Sequence, residues 1–174
     1  SLAQSQKLSI EAQKTGRNIK IHIKADAGLS RFGIVLKNHM EEAIEEAMAI
    51  AALPGLQLEG VMTHFTAADI PLGEQFNLAQ IALFDTFCQR LKENGLQFKT
   101  HCASTVFTAL YEQSYHDYVR VAALLLGLAE PLTRGIKTIP SVQLKSVIYQ
   151  IKDLDAGVAV SYGPNYYTMR PTKI

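Results

Sequence analysis

Lys24-Ala25-Asp26-Ala27-Gly28-Leu29-Ser30-Arg31-Phe32-Gly33 follows directly on an alternating apolar run, Ile19, Ile21 and Ile23. Alternation of period two marks a strand with one buried face. This strand ends by delivering a lysine, an aspartate and an arginine around a glycine turn. Charges are costly to desolvate, so three at one strand end need a reason beyond packing. In a barrel of parallel strands, that end is where active sites are assembled. Three further apolar segments close in the same way: Val61-Met62-Thr63-His64, Thr100-His101-Cys102-Ala103-Ser104 and Tyr118-Val119-Arg120.

Outward from this stretch, helix and strand periods alternate. Residues 1–15 read as the end of a helix closed by Gly16, and 18–24 as the first strand. Met40, Ala43, Ile44, Ala47, Met48 and Ala51 have the spacing of a helix over 39–52 with one buried face; Asn38 is its expected cap and Pro54-Gly55 stops it. The pattern then predicts a strand over 56–64, a helix over 74–94 ended by Gly95, a strand over 98–103, a helix over 105–113 and a strand over 117–123. Four β/α units of this kind are half of an eight-stranded barrel. After Pro131 the texture changes. Residues 142–152 alternate cleanly, the turn Asp155-Ala156-Gly157 leads into a short strand over 158–162, and no closing element is expected in 165–174.

The 174 residues suffice for a real core, and 48% hydrophobic with 19% charged residues is the balance of a soluble globular chain. A formal net charge of +1 gives no electrostatic pull toward nucleic acid or an anionic membrane. Cys88 and Cys102 make no disulfide framework, which fits a reducing cytoplasm. No signal peptide and no bilayer-length apolar run is expected.

Several strand-end residues have competing readings. Lys24 and Arg31, close together, call for an anion between them: a carboxylate side chain, a substrate or phosphate, or a CO2 adduct on Lys24 itself. Otherwise both are surface charges. His64 is a structural or a catalytic histidine. Ser104 starts a helix, where its hydroxyl and the helix amides suit a phosphate or a simple cap. Arg120 ends an apolar strand and needs a partner there. Lys24, His64 and His101 also fit a metal-dependent hydrolase of the amidohydrolase type, with a carboxylated lysine.

The motifs carry a resemblance. His22 to Gly33 resembles the H-x-K-x-D-T-G-M-x-R-x-G signature of alanine racemases, and Glu59 to Asp69 their E-G-x-x-T-H-F-A-x-A-D. His101-Cys102-Ala103-Ser104 is similar to H-x-A-N-S, Tyr118-Val119-Arg120 to the strand before R-P-G, and Gly157 to Gly163 to G-x-x-V-S-Y-G. The resemblance implies α/β architecture: the C-terminal half of a (β/α)8 TIM barrel over 1–133, then the first strands of a β domain over 134–174. It implies a homodimeric, cytoplasmic, pyridoxal 5′-phosphate-dependent enzyme that interconverts L- and D-alanine for peptidoglycan. Its partners are then a small amino-acid substrate and a second subunit, with no metal, nucleic acid or membrane. A serine or broad-specificity racemase of the same family is the alternative.

Residue by residue, Arg120 would hydrogen-bond the pyridine nitrogen, with His64 behind it. Ser104 and the amides of Ala122 and Ala123 would hold the phosphate. Arg31 would reach the phenolic oxygen and the substrate carboxylate, oriented by a carboxylated Lys24, and Tyr162 would be the second base. The family's cofactor lysine lies in a K-A-x-A-Y-G-H-G segment that does not occur in these residues, so the piece alone is expected to be inactive. Val121-Ala122 replaces the family's Pro-Gly, Ala103 its asparagine, Leu29-Ser30 a Met-Gly or Met-x pair, and Leu126-Gly127 a Tyr-Gly.

Overall fold

The structure, a computed structural model, describes residues 1–66, 73–128, 135–163 and 165–174. The chain divides into two compact units, Ser1–Ser141 and Val142–Ile174. The expected boundary at 133/134 and the Ala67-Ala68-Asp69 end of the second motif lie outside the described residues.

The first unit runs α1 (Leu2–Lys14), β1 (Ile19–Asp26), β2 (Ile34–Val35), α2 (Met40–Ala51), β3 (Leu56–Met62), α3 (Glu74–Glu93), β4 (Lys99–His101) and α4 (Thr105–Leu110). Its sheet has the order β2-β1-β3-β4, and every pairing is parallel. On β1 the odd positions Ile23 and Ala25 are buried, while Lys20, His22 and Lys24 are more exposed on the opposite face. Apolar residues of α2 (Ala43, Ala47, Ile50) and α3 (Phe84, Phe87, Leu91) close over Ile23, Ala25 and Val61 in one core. Burial of such side chains is the main stabilising term, at about 1.5–3 kcal/mol for each of the larger ones and less for the alanines. The register sets Lys24 against Met62, and Met62 against His101, so the strand ends that carry chemistry finish level.

Several elements differ from expectation. His39, not Asn38, caps α2; Asn38 takes a left-handed φ of +65°. β3 stops at Met62, and β4 pairs over three residues only. The helix expected over 105–113 breaks at Tyr111 and resumes as a 3-10 turn, Glu112–Ser114. Residues 117–123 form no strand. The Asp117 carboxylate takes the Thr100 amide at 2.8 Å, a donor that a strand carbonyl would otherwise accept, while the Asp117 and Arg120 amides donate to Thr100 and Ala103 carbonyls.

In the second unit, β5 (Asp153–Leu154) pairs antiparallel with β6 (Thr172–Lys173), so the tail does contain an element. Residues 142–152 are exposed and form no strand; Lys152 alone exchanges backbone bonds, with Ile174, and no described segment offers a ladder to 142–151. The strand expected over 158–162 reduces to one bridge, Ala159 to Tyr167, since Ser161 turns to a φ of +65°.

Candidate active site

Arg120 is the hub. It follows β4, whose edge holds the 117–120 segment through the bonds just described, and its guanidinium lies half-buried over the strand ends. Nη1 donates to His101 Nδ1 at 2.8 Å. Nη2 donates to the Thr63 and Cys102 carbonyls at 2.9 and 3.1 Å and lies 3.2 Å from His64 Nδ1. No carboxylate pairs with it among the described residues. Burial pulls its pKa down, yet a guanidinium does not give up its proton in a protein. The charge is therefore met by two imidazoles and two carbonyl dipoles. The Nε–H has no partner among the described residues, which leaves a donor for a ligand.

Arginine has no lone pair to offer, so both histidines must accept on Nδ1 and carry their proton on Nε2. His101 then donates from Nε2 to His22 Nδ1, 2.8 Å away, and His22 Nε2 lies 3.8 Å from the Glu59 carboxylate. Gly60 makes room for this, since a Cβ there would sit 2.5 Å from the His22 ring. Burial, then the Arg120 charge and His22, press the His101 pKa down to about 4, so it is neutral at pH 7. Burial, then Arg120, Arg31 and Lys24, also lower that of His64.

Lys24 lies near the end of β1, on the face opposite Ile23 and Ala25. Burial lowers its pKa first; Asp26 opposes this, and Arg31 and Arg120 add to the lowering. Its Nζ donates to the Phe32 carbonyl at 2.6 Å. Asp26 anchors the loop that carries Arg31, with Oδ1 accepting from the Gly28 and Ser30 amides at 2.9 and 3.0 Å. The loop folds back so tightly that a Cβ on Gly33, at a φ of +122°, would lie 2.7 Å from the Lys24 carbonyl. Arg31 is exposed and, among the described residues, pairs with no carboxylate. With Asp26, Ser30 and Lys37 it lines a cleft of about 600 Å³.

Ser104 caps α4 in extended conformation, and its side chain makes no capping bond. The neighbouring hydroxyl is the engaged one: Thr105 Oγ1 accepts from the Ala122 amide at 3.1 Å. Of the two amides expected to hold phosphate, that of Ala122 thus already points to a buried hydroxyl. The Ala123 carbonyl takes the Leu128 amide in the turn that follows. Thr105 was missing from the expected site, and His101 entered only as a metal ligand of the hydrolase alternative. Counting H-x-A-N-S from its histidine puts the hydroxyl four residues beyond His101, at Thr105.

Lys24, Arg31, His64 and Arg120 therefore act on one another within the first unit. Tyr162 belongs to the second, where its side chain is 99% exposed. No three His, Cys, Asp or Glu side chains among the described residues are placed to hold a metal. His64 and His101 both turn to the Arg120 cation, which would repel a metal ion, so the hydrolase arrangement is not formed. Cys88 and Cys102 are buried thiols, both pushed up to about 12 by burial. Among the described residues no helix is long and apolar enough to cross a membrane.

The family model described as alanine racemase, N-terminal domain, matches residues 1–130. The alanine racemase of Desulfosudis oleivorans is 35% identical over 99% of this chain and 46% of its own length. A solved structure of alanine racemase from Clostridium difficile 630 matches with a TM-score of 0.79 and 27% identity, over 99% of this chain and 45% of that one. The Bacillus anthracis alanine racemase with bound L-Ala-P gives 0.72 and 27%, over 97% and 45%. The chain spans about half the length of the curated relatives it matches. Its parallel α/β sheet belongs to the TIM-barrel part of that fold. From its strand-end motifs, its Arg120 cluster and the match over its first 130 residues, the chain belongs to the alanine racemase family.

Proposed function

We propose that the complete enzyme carrying this chain is a cytoplasmic, homodimeric, pyridoxal 5′-phosphate-dependent racemase that interconverts L- and D-alanine for peptidoglycan. Residues 1–133 are its partial barrel and 134–174 the start of its β domain. The observation that carries the reading is a half-buried guanidinium, Arg120, held by neutral histidines and carbonyls with no carboxylate partner among the described residues. The residues present fit the cofactor at both ends: Arg120 keeps a donor for a ring nitrogen, and the Ser104 hydroxyl and the Ala123 amide would form the phosphate end, with the Ala122 amide engaged by the Thr105 hydroxyl beside them.

When bound, the cofactor draws electron density from the α-carbon and so acidifies its C–H bond. Arg120 leaves the ring nitrogen unprotonated, because it donates without giving up its proton; weaker electron withdrawal then restrains side reactions such as transamination. Arg31, oriented by a carboxylated Lys24, holds the substrate carboxylate. His64 and His101 fix the plane of Arg120. Tyr162 of the second subunit takes or returns the proton on one face of the α-carbon.

The test is racemisation assayed on the complete enzyme with alanine and serine, beside the 174-residue chain alone. Alanine turnover well above serine turnover, with none from the chain alone, is the expected result. Serine preference would move the reading to the sister activity. No α-hydrogen exchange with either amino acid in the complete, cofactor-loaded enzyme would overturn it.

A further inference from the structure

Among the described residues of Val142–Ile174, one alone is buried, and it is polar: Thr168, 1% exposed. Its hydroxyl donates to the Asp155 carbonyl at 2.6 Å and accepts from the Val158 amide at 2.9 Å. Its backbone receives the Gly157 amide at 2.6 Å and donates to the Val158 carbonyl at 3.0 Å. One residue thus ties together both ends of the 158–167 segment, which the Val160–Tyr166 bond and the Ala159–Tyr167 bridge then narrow. At the tip, Ser161 and Gly163 both take left-handed backbone, with φ of +65° and +54°, and present Tyr162 almost wholly to solvent. A serine there is strained and persists only where its surroundings hold it. Among the described residues of this unit Thr168 alone is buried, so its hydroxyl and the backbone bonds beside it, rather than apolar packing, hold the base of the segment.

We propose that Thr168 is a positioning residue for Tyr162: the Asp155–Thr168–Val158 clasp sets the direction in which the phenol is presented. The inference rests on the racemase reading, in which that phenol handles one face of the α-carbon. Proton transfer requires it within hydrogen-bond reach of the reacting atom, and a misplacement of about 1 Å costs on the order of 100-fold in rate. Loss of the Thr168 hydroxyl leaves the Val158 amide and the Asp155 carbonyl without their partner, and the loop base loosens.

The test compares Thr168→Val, Thr168→Ser and Tyr162→Phe in the complete enzyme. Two quantities are read: α-hydrogen exchange into D2O from each alanine enantiomer, and amide exchange protection at Val158. Thr168→Val is expected to slow exchange from L-alanine roughly 10- to 100-fold while sparing D-alanine, as Tyr162→Phe does. It should also lose protection at Val158, and Thr168→Ser should restore both. Equal slowing of both enantiomers by Thr168→Val, with Thr168→Ser intact, would make Thr168 merely structural and overturn the proposal. A wild-type exchange pattern in Thr168→Val beside a face-selective Tyr162→Phe would overturn it while leaving the racemase reading standing. If Tyr162→Phe slows neither face, the role of Tyr162 fails and the proposal falls with it, whatever happens to alanine turnover itself.

Discussion

His101 sits between a guanidinium and a second imidazole, and its neutrality is a condition of the site. Its pKa falls from 6.5 to about 4 through burial first and the Arg120 charge second. Between those values the unfolded chain binds a proton that the folded chain refuses, so folding stability rises with pH in that window and is fully present above it. The slope is at most about 1.4 kcal/mol per pH unit. Urea unfolding at stepped pH should therefore show the midpoint falling from about pH 6.5 toward pH 4, and His101→Asn should flatten that fall; an unchanged slope would mean the histidine is protonated in the fold. Lys24 poses the opposite question. Carbamate formation needs a neutral amine, and burial with the nearby Arg31 and Arg120 charges shifts Lys24 in that direction. The adduct reverses the charge, turning repulsion of Arg31 into a charge-assisted hydrogen bond. Lys24→Ala in the complete enzyme should lose most activity and regain part of it with added acetate or another short carboxylate, as read by racemisation rate. Full activity without such rescue would show that no adduct is needed.

At the level of elements, the segment that delivers Arg120 is held by side chains rather than by a ladder. Asp117 accepts from Lys99 and from the Thr100 amide and hydroxyl, which holds its carboxyl near pKa 2. The Lys99 contact is the largest cause of that shift, but both side chains are well exposed there, so it adds little to stability. The bond to the Thr100 amide decides the energy. Asp117→Ala should cost about 1–2 kcal/mol in chemical denaturation, and Asp117→Asn roughly half of that, since the amide oxygen still accepts. The wild-type advantage is present above about pH 4 and lost as pH falls toward 2. Period alone made the sheet legible, because each alternating run that ends in chemistry has a partner strand beside it: Ile19–Asp26, Leu56–Met62 and Lys99–His101. It misled over 117–123, where one carboxylate captured the amide that pairing requires, and over 142–151, where alternation met no partner among the described residues. The motifs named Lys24, His64 and Arg120, and the structure brings these three side chains to one end of the sheet. The H-x-A-N-S count reaches both His101 and Thr105, but their bonds to Arg120 and the Ala122 amide are visible only in three dimensions.

At the scale of the whole molecule, the residues proposed for the chemistry belong to two places in the chain. Arg120, His64, Lys24 and Arg31 gather in Ser1–Ser141, whereas Tyr162 stands in Val142–Ile174. Racemisation requires a proton to leave one face of the α-carbon and return to the other, so two bases must flank it, and Tyr162 is the one proposed for one face. In a two-fold dimer whose sites combine the barrel of one subunit with the tyrosine of the other, two different lesions can be separated by mixing. Let one complete subunit carry Arg120→Ala and another Tyr162→Phe, each inactive as a homodimer. In a mixed dimer with composite sites, one site collects both lesions and the other none. After dissociation and random reassociation, roughly a quarter of the wild-type activity per subunit should return, because about half of the dimers are mixed and half of their sites are whole. If instead each subunit supplied its own tyrosine, every site in the mixture would keep one lesion, and activity would stay at the level of the parents. The measurement is racemisation rate against mixing ratio, with mixed dimers counted by mass. Mixed dimers without recovered activity would place Tyr162 in the site of its own subunit.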